Sequence, residues 1–367
     1  MKSSKCKHIL FTVSNDLSTD QRMHRICNTL QENGYEITLI GISNKQSLSI
    51  YNQKFKTIKL NLLFNKGFLF YAVLNLRLFF VLLFKRADII CGIDLDTILP
   101  CLLVAKIKGV KTVYDAHEYF PESPEIAHRP RLKRFWQKIE RIALRHTHIC
   151  YTVTESIAEI FENQYNKPVN VIRNLPYFCP ERNENNGKYL LYQGALNEGR
   201  GLEEMLIAMK QIPLPLYIAG EGDITNRLKA ITKHLRIEHK VVFLGKLSYL
   251  RLKEITYNSL ISINLLRSNL SKSYYYSLGN KTFDYIQAEI PSICIDFPEY
   301  RKIATQYETC LLIKDLETPT IVEAVKTLMN NKFTYHLIRT NCQIAKKELC
   351  WEKESVKLLE IYATLAP

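Results

Sequence analysis

The chain has 367 residues, 47% of them hydrophobic, which excludes a disordered chain and leaves room for one large domain or two ordinary ones. Its formal net charge of +14 favours anionic partners: nucleic acid, anionic lipid or phosphorylated small molecules. Ten cysteines are scattered without a C-x-x-C pair or zinc-finger spacing. They read as small buried hydrophobes of a reducing compartment, with Cys91, Cys101, Cys150 and Cys294 inside apolar runs.

The opening "MKSSKCKHILFTVSND" holds an apolar stretch too short for a signal-peptide core and is followed by acidic residues, so cytoplasmic placement is expected. "HILFTVSND" reads as a strand running into a polar turn. A helix follows, capped by Thr19 or Asp20 and ending at Gly34, and then a strand from Glu36 to Ile42. The next segment, Phe64 to Ile90, is very apolar. Asn75 and Arg77 interrupt it, leaving no charge-free run of the ~18–20 residues that a spanning helix needs. A buried or interface-lying helix is expected there.

The alternation continues with the strand "ADIICGID", a helix closed by Gly109, and the strand-loop "VKTVYDAHE". The basic amphipathic helix "PRLKRFWQKIERIALRHT" comes next, then the strand "HICYTVTES", a helix, and "VNVIRNLPYF". The polar stretch "CPERNENNGKY" marks a domain boundary near residues 180–188. Strands and helices then alternate again from "KYLLYQGAL" to a helical C-terminus. The fold class is therefore α/β, with two facing Rossmann-like doubly wound domains. The boundaries are 1–182 for the first and 187–350 for the second, with a C-terminal helix, 351–367, crossing back to the first. Ligands are expected outside the carboxyl ends of the strands, in the gap such domains leave.

Five loops there carry chemistry. "YQGALNEGRGLEE" offers Gly194 and Gly201, a helix N-terminus for phosphate, and Arg200, whose planar fork suits a pyrophosphate. A glycine-rich turn with a surface arginine explains it equally well. "IAGEGD" brings Gly220 and Gly222 in a strand-to-helix turn, for which a tight turn is the simpler reading. In "YSLGNKTFDY", Gly279 and Asn280 open a helix with Lys281 in its first turn. A cation there is unfavourable unless an anion joins it. Asp284, a turn later, is placed to accept from a ribose diol, although a capped helix with solvated charges also fits. "YDAHEYF" crowds Asp115, His117 and Glu118 after a strand, where ionisable groups serve catalysis or structure. At the end of the first strand Asp16, Asp20 and Arg22 are candidates for a polar acceptor, although for Asp20 a helix cap is the favoured reading.

In this order, "VSNDLSTDQR", "YDAHEYFPESPE", "VIRNLP", "YQGALNEGRGLEE", "IAGEGD" and "NKTFDYIQAEIPSICID" resemble a family 4 glycosyltransferase, a retaining, nucleotide-sugar-dependent enzyme of the GT-B fold. The resemblance spans nearly the whole chain. It implies that His117 contacts the donor sugar near the reacting carbon and that Arg200 binds the donor diphosphate. It further implies that Asp284 holds the ribose as the second carboxylate of the E-x7-E motif, and that Gly279 presents amides to the phosphates. The chain departs from the family where Tyr276 replaces the first carboxylate of that motif and Ala195 replaces an arginine after the phosphate-strand glycine. "NDLSTD" also replaces a glycine-rich first loop. Lys281 is expected to supply the missing positive charge.

The expected reaction moves a sugar from a nucleotide-sugar donor to a saccharide or lipid-linked acceptor in surface polysaccharide or glycan synthesis. No metal cluster is apparent, so no metal or cofactor is expected: Arg200, Lys281 and helix-end amides neutralise the leaving diphosphate while Asp115 and Glu118 fix His117. Basic, apolar helices at Arg131–Arg145 and Phe64–Arg86 suggest a peripheral place on an anionic membrane, on the inner face of the plasma membrane. A nucleotide-sugar epimerase and a non-catalytic sugar- or nucleic-acid-binding relative are the alternatives. Nucleic acid is not expected, because no helix-turn-helix, RNP-like strand or zinc finger is present.

Overall fold

The computed structural model describes residues 7–18, 20–42, 53–62, 64, 67–180 and 187–365. It divides into two compact units, one of residues up to Asn174 and from Glu354 onward, the other Leu175–Lys353.

In the first unit the strands are β1 (His8–Asp16), β2 (Glu36–Ile42), β3 (Lys56–Leu60), β4 (Ile89–Ile93), β5 (Lys111–Ala116), β6 (Ile149–Thr152) and β7 (Asn170–Val171). They pair in the order β3-β2-β1-β4-β5-β6-β7, all parallel. The helices are α1 (Gln21–Glu32), α2 (Gly67–Phe84), α3 (Asp94–Lys108), α4 (Pro124–Ala127), α5 (Pro130–His146) and α6 (Glu155–Tyr165). Continuous apolar runs such as Ile9–Phe11 and Ile89–Cys91 are fully buried, as strands covered on both faces require.

The second unit has β8 (Leu190–Gln193), β9 (Leu216–Ala219), β10 (Val241–Gly245), β11 (Ile261–Asn264), β12 (Ser292–Ile295) and β13 (Cys310–Ile313), in the order β10-β9-β8-β11-β12-β13. Its helices are α7 (Leu202–Ala208), α8 (Thr225–His234), α9 (Tyr249–Tyr257), α10 (Lys272–Tyr275), α11 (Asn280–Gln287), α12 (Pro298–Tyr307), α13 (Thr318–Asn330) and α14 (Lys332–Glu348). The last helix, α15 (Trp351–Ala363), begins in the second unit and ends in the first. There Tyr362 is buried, its hydroxyl 3.4 Å from that of Tyr151. Both sheets reverse direction once, between β1 and β4 and between β8 and β11. Those reversals are where doubly wound sheets open a crevice at their carboxyl edge.

Three differences from the sequence reading have physical causes. β3 and β13 are absent from the sequence reading, and both are edge strands: β3 has the mixed sequence KTIKL, and β13 is the short apolar run CLLI. The division falls at Asn174/Leu175, ahead of the polar stretch whose residues 181–186 lie outside the described residues. "VIR" still belongs to the first unit, since Ile172 N–H donates to Thr152 O at 2.8 Å and Arg173 N–H to Glu354 Oε1 at 2.7 Å. α2 is long and apolar enough to cross a membrane by length and composition, with a mean hydropathy of 2.1. Its buried side is only the stripe Leu74, Leu78 and Leu82, spaced at i, i+4, i+8. Each contributes roughly 1.5–3 kcal/mol by burial. The predicted cysteine burial is observed, and the described cysteines are free.

Candidate active site

The first crevice is built by the ends of β4 and β5, which lie in register with Ile93 opposite Asp115. Asp94, the residue after β4, takes φ +53°. Its carboxylate accepts the His117 backbone N–H at 2.8 Å through Oδ1, and Oδ2 stands 3.7 Å from His117 Nδ1. The other ring nitrogen, Nε2, lies 3.1 Å from Asp115 Oδ2. Arg22, on α1, closes the chain: Nη2 donates to Asp115 Oδ1 at 2.9 Å, Nε to Oδ2 at 3.3 Å, and Nη1 to the Ile172 carbonyl at 2.8 Å.

The network sets protonation states. Burial penalises the Asp115 carboxylate, but Arg22 and His117 outweigh it and hold the group below the usual range. Burial likewise opposes the imidazolium, yet Asp115 and Asp94 raise His117 to about 9, so the ring carries a proton at neutral pH. Glu118 and Asp96 go the other way. Burial and then the Asp94 charge raise Glu118 to about 8 and Asp96 to about 7.

These contacts revise the predicted roles. Asp115 fixes His117 as expected, but the second carboxylate on the imidazole is Asp94, while the His117 charge acts on Glu118. Asp94 was missed, although its place at the end of "GID" beside the switch point was the available signal. Among the three acceptor candidates, Arg22 is buried and its guanidinium is used on Asp115 and Ile172. Asp20 caps α1, accepting from Met23 N–H at 3.1 Å, while the other candidate cap, Thr19, lies outside the described residues. Asp16 closes its own turn by accepting from the Ser18 amide at 2.9 Å and hydroxyl at 2.8 Å. Structural partners thus hold all three.

In the second unit the loop after β8 carries Gly194 and Arg200, and Gly201 stands at the N-cap of α7. Gly194 and Gly220 have φ of +130° and +144°. A Cβ on Gly220 would lie 1.9 Å from the Gly194 carbonyl, so only glycine permits the two loops to touch. Gly222 packs on the backbone of Leu196 in the same way. The "AGEG" glycines therefore shape the β8 loop.

Lys281, in the first turn of α11, is 8% exposed. Its Nζ sits 3.9 Å from the Tyr192 ring centroid and has no hydrogen-bond partner among the described residues. Burial, and then Arg200, push its pKa well below the usual lysine value. The Arg200 guanidinium lies 4.5 Å over the Tyr274 ring, with its Nε buried and unpaired. Arg200 and the Lys281 amine thus lie near one another at the β8 turn, with Arg200 Nε and Lys281 Nζ lacking hydrogen-bond partners among the described residues. Asp284 accepts from Gln193 Nε2 at 2.9 Å, and Gln193 is in turn held by Thr256 at 2.7 Å. Asn280 is the exposed first residue of α11. Against expectation, the Gly279 N–H is taken by the Tyr300 hydroxyl at 2.9 Å.

Two doubly wound units, one with a histidine held between two carboxylates at its strand ends and the other with Lys281 and Arg200 at a glycine turn, have the architecture of a glycosyltransferase of the GT-B fold. Residues 20–175 match the family model described as Glycosyltransferase Family 4, and residues 178–346 match Glycosyl transferases group 1. The chain belongs to this glycosyltransferase family. Among solved structures it is similar to sucrose-phosphate synthase from Thermosynechococcus elongatus, with TM-score 0.78, 15% identity, and 98% of this chain and 99% of that one covered. Anabaena HepE, solved with UDP and glucose, matches with TM-score 0.78 at 12% identity over 98% and 100% of the two chains. A putative UDP-N-acetylglucosamine 2-epimerase from Listeria monocytogenes matches with TM-score 0.67 at 12% identity, over 96% and 95%. No curated protein matches by sequence.

Proposed function

We propose that the protein is a retaining hexosyltransferase that takes a sugar from a nucleotide-sugar donor and places it on a saccharide or lipid-linked acceptor in surface polysaccharide or glycan synthesis. It works in the cytoplasm, on the inner face of the plasma membrane, without a metal ion or other cofactor. The observation that carries this reading is the buried Lys281 amine beside Arg200: its Nζ has no hydrogen-bond partner among the described residues, and its pKa is held low until an anion joins it. A buried charge without a counterion is costly, and a diphosphate is the anion whose spacing suits two adjacent cations at a glycine turn. HepE, solved with UDP-glucose, supports the donor class.

Transfer develops positive charge at the anomeric carbon and negative charge on the leaving phosphate. Lys281 and Arg200 stabilise the second, standing in for the arginine that Ala195 replaces. His117, kept protonated and oriented by Asp115 and Asp94, donates to a sugar hydroxyl. Asp284 holds the ribose without help from Tyr276. Incubation of a nucleotide sugar with acceptor, followed by NMR of the product, tests the reading. A new glycoside with the donor's anomeric configuration supports it, and inversion refutes the retaining step. The likeness to a putative epimerase favours a second reading, distinguished by donor alone: an epimerised nucleotide sugar without acceptor would select it.

A further inference from the structure

The crossovers from β3 to β4, β4 to β5 and β5 to β6 all run the same way across the sheet, so right-handedness puts α2, α3 and α5 on one face. Their contacts agree: α2 packs on α3, α3 on α5, and the Tyr71 and Trp136 rings meet edge-on at 6.0 Å. The outer side of this layer is apolar. Phe68 and Phe84 on α2 are 80% and 81% exposed, and Phe80, Leu103, Ile107 and Ile142 are also exposed. Its exposed charges on these helices are basic: the acids of α3, Asp94 and Asp96, lie in its first turn at the crevice and are not exposed. α2 contains no acid, and the single acid of α5, Glu140, is fully buried and accepts from the Tyr165 hydroxyl at 2.6 Å. Lys85, Arg86, Lys106, Lys138 and Arg141 are exposed around it.

Between α3 and α5 the same layer holds a cavity of about 510 Å³. Leu102, Leu103 and Ile142 line it with hydrocarbon, and Lys106, Lys111 and His146 supply polar groups. Its size suits a small-molecule site. An apolar floor with a cationic rim is the chemistry of a phospholipid's phosphate and upper acyl chain.

We infer that the α2–α3–α5 face docks on an anionic bilayer and that the α3/α5 cavity takes one anionic phospholipid. α2 lies in the interface instead of crossing it. Leu74, Leu78 and Leu82 are buried on its inner side, and Asn75 Nδ2 donates to the Asp96 carbonyl at 2.7 Å. The inference rests on the membrane part of the proposed function and is independent of the donor chemistry.

Flotation of the full chain with phosphatidylglycerol-containing and pure phosphatidylcholine vesicles tests it. Wild type is expected to float with the first and at least about tenfold less with the second. The Phe68→Ser/Phe80→Ser/Phe84→Ser variant, changed only at exposed or partly exposed side chains, should lose about tenfold or more of the binding. Lys106→Glu/Lys111→Glu should abolish the phosphatidylglycerol preference. Transfer to a soluble acceptor should remain in both variants, so a failed docking surface is separable from a failed transferase. Equal flotation on both vesicles, a triple variant that floats like wild type, or an unbound protein whose dimer the triple variant disperses would overturn the proposal.

Discussion

The two strand-end constellations handle charge in opposite ways. Around His117 every charge is answered inside the protein: Arg22 by Asp115, and His117 by Asp115 and Asp94. Around Lys281 the Nζ and the Arg200 Nε face only tyrosine rings, with no hydrogen-bond partner among the described residues. A closed network spends its interactions on geometry, so the imidazole is oriented before any ligand arrives. An open one leaves electrostatic work to be done when an anion binds, at a cost in stability without it.

The contrast breaks most sharply at the imidazole. His117→Ala should abolish transfer with the circular dichroism unchanged, because Arg22 and Asp115 still satisfy each other; near-normal turnover would remove His117 from the reaction. Asp115→Ala should be far worse for the fold. It strands a fully buried guanidinium, and urea unfolding should show a loss of about 3–5 kcal/mol. Lys281→Met should do the reverse, with stability without donor held or raised by about 1–3 kcal/mol while donor affinity falls. A large loss of stability there would mean that the ammonium has a partner after all.

The smallest effect concerns pH. His117, Glu118 and Asp96 all hold protons more tightly folded than unfolded, being raised to about 9, 8 and 7. Stability from His117 is fully present below its unfolded pKa near 6.5 and is lost as pH rises through 9. The two carboxyls add a loss of the same sign from their unfolded range up to pH 7–8. Lys281, whose pKa is lowered, contributes with the opposite sign, so the test is a difference: the stability of wild type relative to His117→Asn should fall from pH 6.5 to 9, by on the order of 1 kcal/mol per unit. A difference that is constant or rises over that window would contradict the assignment.

Most of the fold was legible because strands covered on both faces are written as unbroken apolar runs; β3, KTIKL, lacks that signature, while β13, CLLI, carries it as a run of only four residues, which does not by itself separate strand from helix. The donor side was legible as far as its motifs are local: Gly194, Arg200 and Lys281 come from glycine turns that can be read in the chain. The Tyr300 hydroxyl on the Gly279 amide was not, since that contact joins residues apart in sequence. The same holds for Arg22, whose partner Asp115 is 93 positions away. A charged residue beside a polar turn looks like a ligand-binding group until folding shows which way it faces.

The central claim is that Lys281 and Arg200 await a diphosphate. A thermal-shift panel of UDP-, GDP-, ADP- and dTDP-sugars on wild type and Lys281→Met tests it most directly. One donor should raise the wild-type melting temperature by several degrees, at concentrations about 100 times its dissociation constant, and should leave the variant nearly unmoved. A donor that stabilises both proteins equally would contradict the account.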